Sequence, residues 1–296
     1  MRTVRDHMRV RATSGDVGIE IEVEGRNLPH TDEYWSVTHD GSLRGDEPDS
    51  ALEYVLRRPM SLSKSFEALD YLGHQLTQKN VSVIDSGRCG VHIHVNVQKL
   101  TMVELYNFIT LYLVLEPLLI KFCGDSREGN LFCLRAEDAE YLLHILALAA
   151  EEQVFREHFA TDNLRYAAMN LKATAQYGSL EFRAMRGTTD MQLIKDWASI
   201  LVGLRKAAKN YHDPREIVMD MSAGGGEAFL RNNLGEYAEL FLQYNDWEHS
   251  LLHGARLAQD VAYSGDWEEM TRVPKRKIGG IEVDGNWDED FPPMDV

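Results

Sequence analysis

The sequence predicts an α+β fold in which a sheet carries the chemistry and a mostly helical C-terminal third packs with it. Two stretches, Val17 to Glu24 and Cys89 to Val97, alternate aliphatic with polar residues, and from Asp190 onward the pattern is helical almost throughout. Alternation with a period of two is the mark of a strand with one face buried. In V-G-I-E-I-E-V-E it puts Ile19, Ile21 and Val23 on one face and Glu20, Glu22 and Glu24 on the other. Glutamate is a poor strand former. Carboxylates spaced roughly 7 Å apart along one face repel by about 2 kcal/mol per neighbouring pair at an effective dielectric near 20. A cationic partner is therefore expected on that face.

Tyr34 to Thr38 reads as a second strand, with Asp40-Gly41-Ser42 as its turn or end. Ala51 to Arg58 sets Leu52, Tyr54 and Leu56 against Glu53, Val55 and Arg57, and Pro59 ends it. Ser61 to Lys79 carries Leu62, Phe66, Leu69, Leu72 and Leu76 as a helical stripe. The stretch C-G-V-H-I-H-V-N-V then turns Val91, Ile93, Val95 and Val97 one way and His92, His94 and Asn96 the other. Thr101 with Glu104 makes a capping box that opens a long apolar helix to about Phe122, and Glu137 to about His158 reads as another helix. Leu164 to Ala173 and Gly178 to Met185 read as a strand pair, the second placing Leu180 and Phe182 opposite Glu181 and Arg183. Asp190 caps the next helix, and Asp213-Pro214-Arg215-Glu216 supplies an N-cap, a proline at N1 and an acid at N3. A further helical stretch covers about Gly235 to Ala262.

These elements divide the chain into a sheet region with inserted helices over 1–190, a helical part of the same domain over 191–265, and a loosely ordered tail over 266–296. A length of 296 residues, 44% hydrophobic and 26% charged, suits a globular protein with a large core. A formal charge of −16 argues against nucleic acid and anionic membranes as partners, because both need a clustered basic surface. Three cysteines without a C-x-x-C pair argue against a disulfide framework or a thiolate zinc site. The basic N-terminus leads into no apolar h-region, and the apolar run from Phe108 to Phe122 is broken by Glu116 and Pro117, short of a membrane span. A cytoplasmic protein is expected on these grounds.

The polar strand faces together collect Glu20, Glu22, Glu24, Glu53, His92, His94, Glu181 and Arg183, with Asp40 at a strand end. A solvated acidic side would account for one such strand, but a water-facing sheet would favour Thr, Lys and Ser. Carboxylates with imidazole are the ligand set of Mg²⁺ or Mn²⁺, and enough are present for more than one ion. Arg183 and Arg186, with Arg165 before them, either neutralise those carboxylates or hold phosphoryl oxygens. Neither a P-loop nor a Rossmann fingerprint occurs, so any nucleotide must be bound by metals and arginines on the sheet. A hydrolase that activates water with the H-x-H pair, and a module that binds metal or nucleotide without turnover, remain open alternatives.

G-I-E-I-E at Gly18–Glu22, D-G-S at Asp40–Ser42, Glu53 before Pro59, C-G-V-H-I-H-V at Cys89–Val95 and L-E-F-R with R-G-T at Leu180–Thr188 occur in that order. The set resembles the amidoligase family, within the superfamily of glutamine synthetase and glutamate–cysteine ligase. The resemblance implies an antiparallel catalytic sheet of glutamine synthetase type whose concave face holds ATP and Mg²⁺ or Mn²⁺. It implies an ATP-dependent carboxylate–amine ligase that forms an amide or peptide-like bond through an acyl phosphate, acting on small-molecule or peptide carboxylates and amines. By the same resemblance Glu20, His92 and Glu181 hold the ion that bridges the nucleotide phosphates, with His94 as the alternative to His92. Glu22 and Glu53 hold the ion nearer the substrate carboxylate, Asp40 helps, and Arg183, assisted by Arg186, stabilises the transferring phosphoryl group.

Overall fold

A computed structural model describes residues 1–39, 50–127, 129–131, 133–139, 141–162, 166–271, 275–278 and 281–284. Among them, seven strands form one sheet: β1 (Val17–Arg26), β2 (Trp35–Thr38), β3 (Ala51–Leu56), β4 (Ser82–Ile84), β5 (Gly90–Asn96), β6 (Met169–Asn170) and β7 (Ser179–Arg186). The order is β2-β3-β1-β5-β7-β6, β4 pairs with the far end of β1, and every pairing is antiparallel. The class is α+β, as the alternating and helical patterns predict.

One side of the sheet is dry. Val17, Ile19 and Ile21 of β1, Val91, Ile93 and Val95 of β5, and Leu180 and Phe182 of β7 are fully buried. The β7 residues pack under the 22-residue helix Met102–Cys123, where Phe182 meets Phe108 and Tyr112 at ring-centroid distances of 5.6 and 4.9 Å, while β1 meets helix Leu62–Leu76 and β5 meets helix Met191–Ala207. Burying a ring of that size contributes about 2 kcal/mol. The helix opens on the predicted capping box: Thr101 accepts from the Glu104 N–H, and Glu104 accepts from the Thr101 N–H. Asp190 and Asp213 likewise cap the helices Met191–Ala207 and Pro214–Gly224.

The central helix runs unbroken through Glu116 and Pro117 to Cys123, as the sequence reading of one helix to about Phe122 expects. By length and composition it could cross a membrane, yet 89% of its most apolar window is buried inside the protein. A helix apolar on all sides is what a core position demands. Pro117 has no N–H, so the Leu113 carbonyl loses its usual partner. Helix Trp247–Ala262 lies against that turn at Gly254, where an added Cβ would sit 2.1 Å from the Val114 oxygen and 2.8 Å from that of Leu113.

The strand expected over 164–173 is, in its described part, only Met169–Asn170, followed by helix Lys172–Tyr177. Asn170 causes the change: its Oδ1 accepts from the Lys172 N–H and turns the chain, and Gly178, at φ +76°, ends the helix. The single helix expected from Glu137 to His158 is two, Leu142–Glu152 and Phe155–Phe159, parted at Gln153 with φ +54°. Strand β4 is too short to read from periodicity. The region expected as a loose tail begins with helix Trp267–Thr271, whose Trp267 is buried and donates its indole N–H to the Ala262 carbonyl. Beyond it, β8 (Lys275–Ile278) and β9 (Ile281–Asp284) pair antiparallel.

Candidate active site

Alternation carries the β1 carboxylates to the open face, and the strand register decides which groups they meet. Glu20 lies opposite His92, Glu22 opposite Glu53, and His94 opposite Glu181. Glu20 Oε2 stands 3.3 Å from His92 Nδ1, and Glu181 Oε1 stands 3.8 Å from the same nitrogen. One donor atom each from Glu20, His92 and Glu181 lie within 4.8 Å of one another, and among the described residues no other group of three His, Cys, Asp or Glu converges in this way.

His92 and Glu181 are buried, and charges taken out of water need partners. Arg183 donates from NH1 to Glu181 Oε1 at 2.5 Å and lies 3.4 Å from His92 Nδ1. Asn170, which the sequence reading missed, donates to Glu181 Oε2 at 2.6 Å. No sequence signal marks Asn170, because it sits on a two-residue strand. The Nε of Arg183 is buried without a hydrogen-bond partner among the described residues, while the side chain as a whole keeps 21% of its surface exposed.

Glu20 is pulled two ways. Burial by itself raises its carboxyl, but the close imidazoles of His92 and His94 and their charge outweigh burial and hold it well below the usual carboxylate range. Burial likewise lowers the His94 imidazole, whereas Glu20 and Glu181 lift it above its ordinary value. His94 Nε2 approaches Glu20 Oε1 to 3.2 Å, off the direction of a good hydrogen bond, and its Nδ1 is 3.3 Å from Ser179 Oγ. Of the two histidines, His92 is the one gathered with both carboxylates. The set of two carboxylates and one imidazole nitrogen fits a hard divalent cation.

Glu22 and Glu53 form a second carboxylate pair one step along the sheet, and like charges directly opposite are destabilising without a cation or donors between them. Glu22 accepts from the Gly90 N–H at 2.7 Å, and Glu53 accepts from Thr38 Oγ1 at 3.0 Å. A Cβ on Gly90 would meet His92 Nε2 at 3.2 Å and Glu22 Oε2 at 3.4 Å. Glycine there keeps a cradle open between the two carboxylate groups. Arg186 pairs in register with Gly90 and donates from NH1 to the Cys123 carbonyl, so it stands toward Glu22 and apart from the His92 cluster. Glu24 lies further along β1, opposite Ala51 and Ile84. Asp40 and Arg165 lie outside the described residues.

A cavity of about 380 Å³ opens beside Glu20 and His94, walled by Arg57, Tyr177 and Ser179. Another of about 360 Å³ opens beside Glu22 and Arg186, reaching Asp85, Cys89 and Thr188. Burial, with the charges of Glu24 and Glu22, pushes the Cys89 thiol up to about 12, so it is no thiolate nucleophile at neutral pH.

The family model described as "Putative amidoligase enzyme" matches residues 33–204. That span includes β2, β3, β5 and β7, while β1 with Glu20 and Glu22 lies before it. No curated protein matches the chain.

Proposed function

The chain belongs to the amidoligase family, and on that premise we propose an ATP-dependent carboxylate–amine ligase that works through an acyl phosphate. The observation that carries this reading is the convergence of Glu20, His92 and Glu181 with Arg183 alongside. In this reading the antiparallel sheet is a catalytic sheet of glutamine synthetase type, and the enzyme is cytoplasmic, where ATP is. Its substrates are a small-molecule or peptide carboxylate and an amine.

Joining a carboxylate to an amine is uphill in water, so the carboxylate must first be activated. A substrate carboxylate oxygen attacks the γ-phosphorus in line while the bond to the β–γ bridging oxygen breaks and ADP departs. The amine then adds to the acyl carbon, phosphate leaves with the former carboxylate oxygen, and a proton passes from nitrogen to a carboxylate of the open face. Glu20, His92 and Glu181, and beside them Glu22 and Glu53, would hold Mg²⁺ or Mn²⁺, whose charge would neutralise phosphoryl and carboxylate oxygens.

The chain's own groups do the rest. Arg183 offers a partly exposed planar guanidinium beside Glu181, suited to phosphoryl oxygens as charge spreads over them. Asn170 fixes the Glu181 carboxylate from its other oxygen, and His94 holds Glu20. Arg186, tied to the Cys123 carbonyl, supplies positive charge at the Glu22 end.

Two measurements test the proposal together. Thermal stabilisation by ATP should require Mg²⁺, and ADP should be released only when a carboxylate and an amine are both present. Metal-dependent turnover without ATP would make the protein a hydrolase, and nucleotide binding without any turnover would make it a binding module.

A further inference from the structure

A third arginine approaches the open face, and no sequence motif announced it. Between the pairs Val91–Met185 and Ile93–Phe182 the register of β5 and β7 slips by one residue, so His92 alone faces both Arg183 and Ala184. This is a β-bulge, and it reverses the alternation beyond it. Strict alternation from Arg183 would turn Arg186 into the core and Met185 outward. With the extra residue Met185 is fully buried, and Arg186 pairs with Gly90 on the side of His92 and Glu22.

The carbonyls at the bulge are held by Arg127. Its NH2 donates to the Arg183 carbonyl and its Nε to that of Ala184, each at 2.9 Å. Arg127 is 3% exposed and has no ion pair among the described residues. A buried guanidinium ordinarily seeks a carboxylate. Here two prongs of the fork go to backbone oxygens, and NH2 also lies 3.3 Å from where a Cβ on Gly90 would sit, beside His92 Nε2 and Glu22 Oε2.

The same short segment grips Arg186. Gly124 ends the central helix at φ +115°, and an added Cβ there would stand 2.9 Å from both Cδ and NH1 of Arg186, whose NH1 donates to the Cys123 carbonyl at 3.1 Å. The 3₁₀ turn Asp125–Arg127 follows directly. Cys123 to Arg127 therefore holds β7 at both ends of the bulged stretch.

We propose that Arg127 is a positioning residue of the site: by holding the bulge of β7 it keeps Arg183 and Arg186 on the same face as Glu20 and His92. The kinetic consequence rests on the ligase reading, but the structural one does not. Glu20 and His92 are set by their pairing between β1 and β5, and Glu181 by its pair with His94 before the slip, so the metal cluster should survive loss of Arg127. The orientation of the two arginines should not.

The test uses Arg127→Lys, which keeps the charge but cannot bond both carbonyls with one planar fork, and Arg127→Gln, which removes the charge. Wild type and variants are compared in Mn²⁺ affinity, affinity for inorganic tripolyphosphate with Mg²⁺, amide hydrogen exchange over residues 180–187, and turnover. In both variants exchange over 183–187 should quicken by about tenfold or more. Tripolyphosphate binding should weaken by about tenfold, while Mn²⁺ affinity stays within about threefold. Turnover should show a fall in kcat larger than the rise in KM, as expected when groups meeting the transition state are misplaced. Unchanged exchange and tripolyphosphate affinity overturn the proposal, and so does a parallel loss of Mn²⁺ binding, which would make Arg127 a general support of the fold. Should Arg127→Gln fail to fold, Arg127→Lys alone decides. If wild type releases no ADP with any carboxylate and amine, the ligase reading fails, while exchange and Mn²⁺ affinity still judge Arg127.

Discussion

Glu20 and Glu116 are carboxylates on opposite sides of the same sheet, and the protein treats them oppositely. Glu20 on the open face has two imidazoles within 3.3 Å and is held ionised. Glu116, fully inside the central helix layer, accepts one hydrogen bond, from the Ala136 N–H, and burial pushes its carboxyl up to about 7. One backbone donor does not replace the hydration of a buried anion, whereas a set of cationic side chains can. Burial alone therefore does not mark a ligand. What marks one is burial together with a surplus of convergent partners.

The largest expected effect lies on the open face. Glu181→Gln keeps the size of the side chain but removes the charge, and Mn²⁺ affinity by calorimetry should fall by about 10²-fold or more, since even supporting partners of metal ligands cost 10–100-fold. Unchanged affinity would put the ion elsewhere.

The core side offers a pH effect of the order of 3 kcal/mol, from a carboxyl raised from 4.5 to about 7. Because the folded form holds the proton more tightly, its stabilising contribution is full below pH about 4.5, wanes as pH rises, and is gone above about 7. Glu116→Gln stays neutral throughout, so the variant should gain on wild type across that window and be the more stable at pH 8. Chemical denaturation at several pH values checks this, and parallel curves would show Glu116 ionised in the fold.

Arg183→Lys should lower turnover by roughly 10²-fold while ATP and metal affinity stay within a few-fold, because lysine keeps the charge but not the fork. ADP release and calorimetry on the same variant measure the two. Normal turnover, or failure only because ATP no longer binds, would make Arg183 a ground-state residue.

The smallest effect on the open face is expected from a change on the core side. Gly254→Ala drives a Cβ into the Val114 and Leu113 carbonyls, so backbone must move, and it should cost about 3 kcal/mol of stability or more, with metal affinity untouched. A loss of Mn²⁺ binding in that variant would mean that the two sides of the sheet are coupled.

The open face was legible in V-G-I-E-I-E-V-E and C-G-V-H-I-H-V-N-V because a period of two survives any tertiary arrangement. The helices were legible from their caps: Thr101 with Glu104, Asp190, and Asp213 with Pro214 all act locally. Local rules also misled. They read 164–173 as one strand, where Asn170 turns the chain into a helix, and 137–158 as one helix, where Gln153 at φ +54° parts two.

By itself, then, the sequence determined which residues share a strand face and where helices begin, since both follow from bonds and sterics within a few residues. Only the tertiary structure decided that His92 rather than His94 meets both Glu20 and Glu181, that Glu22 faces Glu53, and that Asn170 and Arg127 stand beside the cluster. It also decided that Arg186 shares a face with Arg183, against strict alternation. The reason is that register and bulges are set by pairing between strands distant in the chain. A one-residue slip costs little where it occurs, and here it is held by a guanidinium more than fifty residues away in sequence.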